Sequence, residues 1–363
     1  MDYYAPLSYL VPAEDDGVLL RTILQNRLQV SRKLLSRLKL TERGITVNGE
    51  RKYITVRVQA GDLVEVRMET ETSEDILPQA IPIDIIHEDE HVLIVNKPAG
   101  MIVHPTHGHY VNTLANAVVH HWRERGEDVR FRPVHRLDQE TSGVLAIAKN
   151  PYVHQQISEQ MQENSVTKEY LALVHGRLEQ EAGTIEGPID RDPAAPYYRI
   201  VTPDGYPAVT HYWTMERYAA ASLVRLRLET GRTHQIRVHM QHIGHPLLGD
   251  KMYGPGAREH AMEAAANENG DPAAMDSPEA SLTQTGEAGV RSGGRLEEAG
   301  GKSKAVWTDL GSELGLDRHA LHASMLAFVH PGTKQSVTYI AALPADMQGA
   351  VDQLQNRAES RLK

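Results

Sequence analysis

Apolar residues along this chain recur at helical spacing in several stretches and run in short, turn-bounded blocks in most of the others. Near the N-terminus the spacing predicts two helices, over Leu19 to Leu28 and Ser31 to Leu38, with Ser31 as the N-cap of the second. Short strands follow at Ile45 to Val47 and Leu63 to Val66, and Val47-Asn48-Gly49-Glu50 reads as a hairpin turn. Beyond residue 82 the pattern predicts strands over Ile83 to Ile86 and Val92 to Val95. A helix from Thr113 to Trp122 comes next, with Leu114, Ala117 and Val118 on one face. The unbroken block Val144 to Ala148 reads as a buried strand, and Val153, Ile157 and Met161 line one side of a helix after it. Strands over Tyr170 to Val174, Val209 to Met215 and Leu223 to Leu228, a helix over Thr233 to Ile243, and a hairpin around His330-Pro331-Gly332 complete the pattern. Strands and helices mix without regular alternation, which predicts an α+β fold rather than a doubly wound parallel sheet.

Charge changes the picture once it is divided by segment. The formal net charge of -10 would disfavour a polyanionic partner if it were spread evenly. Residues 17 to 67, however, carry eleven Lys and Arg against four Asp and Glu, eleven minus four giving +7. Residues 256 to 316 carry five against eleven, giving -6, in a stretch rich in Ala, Gly, Ser and Glu that lacks the apolar residues to offset chain entropy. They read as a disordered insertion whose end, near Trp307 and Leu310, could dock. Residues 69 to 82, acidic and bounded by proline, read as a linker. The domains expected are therefore a basic module over 1 to 68, the linker, a main domain over 83 to 350 containing the insertion, and a helical tail over 351 to 363.

Composition removes some chemistry. There is no cysteine, which excludes disulfides, thiolate metal sites and a cysteine nucleophile and permits a reducing compartment. No basic, apolar leader opens the chain and no run of about eighteen apolar residues occurs, so the expectation is a cytoplasmic protein with no membrane partner.

The segment that carries candidate chemistry is His135-Arg136-Leu137-Asp138, closed by Thr141-Ser142-Gly143. It places one carboxylate where a loop enters the Val144 strand, a position that calls for a cationic partner. On local spacing alone such an Asp reads as a turn cap. The segment resembles the signature loop of the RluA family of pseudouridine synthases, whose Asp performs the chemistry. Other segments agree in order. Val92 to Pro105, with Lys97-Pro98-Ala99-Gly100 and His104-Pro105, is similar to the family's first motif; Lys168-Glu169-Tyr170 is similar to its aromatic motif. Glu229 to His239 is similar to its third motif, and Leu321-His322-Ala323 with Phe328 to Pro331 to its closing strands, so the resemblance spans residues 83 to 345. The basic module is similar to the small RNA-binding domain named after the fourth protein of the ribosomal small subunit, although Leu19-Leu20-Arg21 stands where Arg-Leu-Asp usually opens it.

The resemblance implies one bent, mainly antiparallel sheet with a central RNA-binding cleft and the isomerisation of uridine to pseudouridine. The glycosidic bond breaks, the uracil turns within the site, and its carbon 5 joins the ribose. Asp138 would act at the sugar, by attack on the anomeric carbon or by drawing a proton to give a glycal, and the sequence does not choose between the two. Arg237 would pair with Asp138, its guanidinium fork holding the carboxylate. Tyr170 would stack on the uracil and relay the carbon 5 proton if a neighbour lowered its pKa. Arg136 would fill the space left by the flipped nucleotide. His135 would shape the loop, with Leu137 and Ile236 as apolar walls. Arg32, Lys33, Arg37 and Arg43 would face phosphates. No cofactor and no metal are called for, and the partner expected is structured RNA, ribosomal RNA favoured over transfer RNA, met by a monomer.

Rival readings make different demands. His234, His239, His242 and His245 cluster near one helix as zinc ligands might, but the His-Glu-x-x-His spacing of zinc hydrolases is absent. An N-glycosidic hydrolase would share the first step and release free uracil. A non-catalytic RNA-binding relative would be expected to have lost Asp138 or Tyr170, and both are present.

Overall fold

The computed structural model describes residues 2 to 257 and 310 to 360, and most of the expected insertion lies outside these. The N-terminal module is a four-stranded antiparallel sheet in the order β1-β4-β2-β3, built from β1 (Leu7–Leu10), β2 (Ile45–Val47), β3 (Glu50–Arg51) and β4 (Leu63–Val66). The Asn48-Gly49 turn joins β2 to β3 with both residues at positive φ, 52° and 81°, as the hairpin requires. Where the spacing predicted one helix over Leu19 to Leu28, a single helical turn α1 (Leu20–Thr22) widens into a π-turn over Ile23–Arg27. That turn buries Ile23 and Leu24 in the module's core. Helix α2 (Arg32–Leu38) starts where expected, with the Ser31 side chain accepting from Leu34 N.

The main domain is a nine-stranded mixed sheet with one hairpin beside it. In chain order come β5 (Asp84–Glu88), β6 (Val92–Lys97), α3 (Leu114–Glu124), β7 (Ser142–Ala148), α4 (Pro151–Gln162), β8 (Thr167–His175), β9 (Ala182–Glu186), the hairpin β10 (Ile189–Asp192) and β11 (Ala195–Val201), β12 (Val209–Arg217), β13 (Ala221–Leu228), α5 (Gln235–His242), β14 (Leu321–Val329) and β15 (Ser336–Ile340). The strand order β5-β6-β7-β14-β8-β13-β12-β9 is antiparallel at every pairing except β7 with β14, and β15 adds to β14 as a hairpin. The α+β expectation is met.

Two expected boundaries dissolve in the packing. Residues 69 to 82 are not a free tether. Ile76 sits in the main core, Ser73 Oγ accepts from Phe131 N at 2.8 Å, and Glu71 binds Arg132 at 2.6 Å and also Arg37 of the N-terminal module. The spaced prolines and charges gave no periodicity because these ties are non-local. At the other end, the expected tail begins inside a helix, Ala345–Ser360, whose Met347, Ala350, Val351 and Leu354 pack with Leu173 and Leu248. Leu310, Leu314 and Leu316 join that cluster, so the stretch assigned to the insertion's end is core.

The module docks on the main domain through α4. Tyr152 enters the module's core, Gln155 accepts from Ser31 N at 3.0 Å, and Gln155 and Gln156 both donate to Gln29 O, at 2.8 and 3.0 Å.

Gly143 is the residue on which the parallel pairing turns. Its φ is +118°, and a Cβ there would lie 2.1 Å from Ala323 O on β14. Both the backbone conformation and the space exclude a side chain. Gly143→Ala is expected to lower stability by on the order of 3 kcal/mol, read from urea unfolding. An unchanged midpoint would show that β7 and β14 can part there at no cost.

Candidate active site

Strand β7 begins at Ser142, directly after the Asp138 loop, and its partner β14 passes beside it only at His322 and Ala323. Backbone donors meet part of this loop, Thr141 N at Asp138 O and Gly100 N at Gln139 O, and buried side chains add to them. Lys97, at the end of β6 and opposite Gly143, is completely buried and donates from Nζ to Gln139 O at 3.0 Å, Pro98 O at 2.8 Å and Met101 O at 2.8 Å. Burial draws this lysine down to about 7, against the pull of Glu140 and Asp138; its three acceptors match the three protons of an ammonium, which favours the charged form. On the other side Arg318 Nη1 donates to Glu140 O at 2.8 Å, while its Nε and Nη2 bind Asp346 of the C-terminal helix at 2.7 and 3.2 Å. His319 Nε2 meets Thr141 Oγ1 at 2.9 Å.

Asp138, with 29 % of its side chain exposed, opens into a cavity of about 640 Å³. The cavity is lined also by Arg136, Leu137, Lys168, Tyr170, Ile236 and Arg237. Three separate segments thus meet there, and the residues expected at the chemistry are together.

Arg237 differs from expectation in its principal partner. It rises from α5, whose N-cap His234 adopts a left-handed conformation at φ 57°, and its side chain is only 8 % exposed. Nε and Nη2 clasp the fully buried Asp250 at 2.7 and 2.8 Å, whereas Nη1 stands 3.6 Å from Asp138 Oδ2. Burial would raise the Asp250 carboxyl, but the Arg237 hydrogen bonds outweigh it and hold it below the ordinary carboxylate range. Asp250 also accepts from Met252 N and Tyr253 N, and the Tyr253 ring lies 4.8 Å from the guanidinium. The fork is fixed from behind, leaving Asp138 near a cation without a bidentate bond that would occupy its oxygens.

Tyr170, on β8, is buried, and both burial and the charge of Asp138 push its phenol well above the ordinary tyrosine range. No neighbour lowers it, so the expected condition for proton relay is reversed: the hydroxyl holds its proton. His135 is drawn down to about 4 by burial and Lys168, and its Nε2 accepts from Ala146 N at 3.3 Å, a bond internal to the loop and strand. Three of the four histidines weighed as zinc ligands bond elsewhere: His234 Nδ1 to Tyr253 OH, His239 to Thr210 Oγ1 and Gly187 O, His245 Nδ1 to His175 O.

The basic residues of the N-terminal module lie outside this cavity. Arg32 and Lys33 line a second groove, about 860 Å³, between the module and the main domain, shared with Lys334 but also with Glu159 and Glu163. Arg43 is exposed, and Arg37 is committed to Glu71 rather than left to a phosphate. Sequence reasoning missed Asp250, Arg318 and the full reach of Lys97.

The architecture is that of the pseudouridine synthases. The human protein RNA Pseudouridylate Synthase Domain Containing 4 superposes with a TM-score of 0.52 at 21 % identity, over 75 % of this chain and 93 % of that one. Residues 91–242 match the family model for RNA pseudouridylate synthase, and residues 7–64 match the RluD ribosomal pseudouridine synthase N-terminal domain. The uncharacterized RNA pseudouridine synthase YhcT of Bacillus subtilis is 33 % identical over 94 % of this chain and 95 % of its own length. Ribosomal large subunit pseudouridine synthase D of Escherichia coli is 36 % identical over 80 % of this chain and 76 % of its own. The chain belongs to the RNA pseudouridine synthase family of the RluA type and is an isomerase of that class. No helix among the described residues is long and apolar enough to cross a membrane.

His319, like His135, is drawn down to about 4, chiefly by burial and then by Arg237. Between the ordinary histidine value near 6.5 and about 4, the unfolded chain takes up protons that the folded chain refuses. The stability these histidines contribute is whole above pH 6.5 and fades as pH falls through that window. Urea midpoints measured from pH 7 to 4.5 are expected to decline, and His319→Gln to flatten the decline. Parallel profiles for the two proteins would exclude His319 as a source.

Proposed function

We propose that this enzyme converts a uridine of ribosomal RNA to pseudouridine at the Asp138 cavity, with Asp138 as the group that acts on the ribose. The observation that carries this reading is the convergence of Asp138, Arg237 and Tyr170 on one cavity with Arg136 beside them. Both routes open to the carboxylate, attack on the anomeric carbon and removal of a proton to give a glycal, need an anionic oxygen facing the sugar. The clamp on the loop and the 3.6 Å gap to Arg237 suit that need.

Tyr170 would stack on the uracil between the walls formed by Leu137 and Ile236. Since its phenol is raised, it would take the carbon 5 proton only while passing its own to an acceptor, and Asp138, whose charge it already feels, is the acceptor we favour. Arg136, exposed at the cavity, would occupy the place of the flipped nucleotide, and His135, which also lines the cavity, would hold the loop. The choice of ribosomal RNA rests on the relatives named for the large subunit and on the N-terminal match. We assign that module to the ribosomal-protein-four type of RNA-binding domain, with Arg32, Lys33 and Arg43 as its phosphate contacts. We take the enzyme to act as a monomer in the cytoplasm.

The deciding measurement is carbodiimide mapping of pseudouridine in total RNA from cells lacking the protein, complemented with wild type, Asp138→Asn or Tyr170→Phe. At least one ribosomal uridine is expected to stay unmodified with Asp138→Asn. Tyr170→Phe is expected to keep RNA affinity and lose roughly 10²- to 10⁴-fold in kcat. Full restoration by Asp138→Asn would sink the assignment, and free uracil without a carbon-linked product would favour a hydrolase.

Deleting the module would strip α4 of its partner, so its role is better tested by charge. Replacing Arg32, Lys33 and Arg43 together by Gln is expected to reduce the slope of log affinity against log salt by about 2, at roughly 0.7 per phosphate contact. An unaltered slope would place the phosphate contacts elsewhere.

A further inference from the structure

Outside the cavity's chemistry, one exposed aromatic is held too firmly to be an ordinary surface residue. Tyr206 is 63 % exposed. Its backbone forms a two-way bridge with Ile189 at the base of the β10–β11 hairpin, the N–H of each donating to the carbonyl of the other, at 2.9 and 3.0 Å. The preceding Gly205 lies so close to that strand that a Cβ would stand 2.7 Å from the Ile189 backbone. The ring therefore projects from a fixed point.

Beside it stands Arg232, its guanidinium carbon 5.6 Å from the Tyr206 ring centroid. Arg232 lines the Asp138 cavity, so the aromatic ring lies one side chain away from the site of reaction. The arginine is fixed as well: its Nε donates to Pro207 O at 3.1 Å, and its N–H donates to the side chain of the buried Gln235 at 2.9 Å. An exposed ring on a pinned backbone, paired with a guanidinium at the rim of a cavity that takes a flipped nucleotide, matches what unpaired bases bind. The ring offers a π-face to any base, and the cation answers the adjoining phosphate.

We propose that Tyr206 and Arg232 form a stacking platform for an unpaired nucleobase next to the target uridine, holding the flanking strand while the target occupies the cavity. This rests on the RNA-modifying function above and adds a subsite to it. The platform reads no base identity. It favours substrates whose strand is open beside the target, and so selects loops over helices.

The test uses the full chain with a single-stranded oligouridylate, and with a ribose-phosphate strand of the same length lacking bases, in fluorescence anisotropy at fixed salt. Tyr206→Ala and Tyr206→Leu are expected to weaken oligouridylate binding roughly 5- to 150-fold, the range that stacking on one base corresponds to, while Tyr206→Phe stays within about twofold. On the baseless strand all four proteins are expected to bind alike. Unchanged oligouridylate binding by Tyr206→Ala and Tyr206→Leu overturns the platform. So does an equal loss on both strands, which would make Tyr206 a support for a phosphate contact by Arg232. Pseudouridine formation by the wild type is scored separately. Its absence would count against the enzymatic reading alone, and its presence alongside unaltered binding would count against the platform alone.

Discussion

The active site depends on capturing the backbone of a loop that no strand can satisfy. Between Asp138 and β7 the chain enters the sheet at its parallel junction with β14, where ladder bonds reach only as far as Ser142 and Gly143. Buried carbonyls without partners are costly. Here Lys97 joins the backbone N–H of Gly100 at Gln139 O, and Arg318 takes Glu140 O. A cation buried in this way is itself costly unless its donors are used, and both side chains spend theirs on several acceptors. If Asp138 is the group that acts on the ribose, as proposed, then what keeps the loop folded also keeps it aimed.

The same logic governs Arg237. A guanidinium facing a lone carboxylate would close on it as a bidentate pair and leave no oxygen for chemistry. Asp250, buried and further bound by two backbone N–H groups, takes the fork instead. Asp138 keeps the benefit of a nearby positive charge without the bond. Because Asp250 also balances that charge, the site does not become an excess cation in the core.

How much of this the sequence disclosed depends on range. Asp138, Tyr170 and Arg237 were visible because each sits in a compact motif, and the blocks of β7, β8 and β13 are apolar enough to read as strands. Asp250 was not visible: Gly249-Asp250 after two leucines looks like any turn, and its role exists only when α5 lies across it. Arg318 lies about 180 residues from the loop it holds, beyond the acidic stretch that dominates composition there. Glu71 failed for a similar reason, since a segment tied by ion pairs to Arg37 and Arg132 carries no period to detect. The raised phenol of Tyr170 could not be foreseen either, because it follows from burial beside Asp138, a property of packing rather than of residue type.

That raised phenol constrains the reaction more than any motif does. A tyrosine deep in the sheet and next to a carboxylate cannot serve as a standing base near neutral pH, because its ionised form would sit beside another anion in a poorly solvated place. It can exchange protons only in concert, gaining one as it loses one. The partner in that exchange must be close, must be free to accept at that moment, and must have finished its work on the sugar. Asp138 lines the same cavity and its charge reaches the phenol, and it would meet the other conditions once the carbon-carbon bond has formed. On this reading the proximity of Asp138 to Tyr170, which makes the phenol a worse acid, also makes the pair a better relay, and the carboxylate would open and close the same turnover.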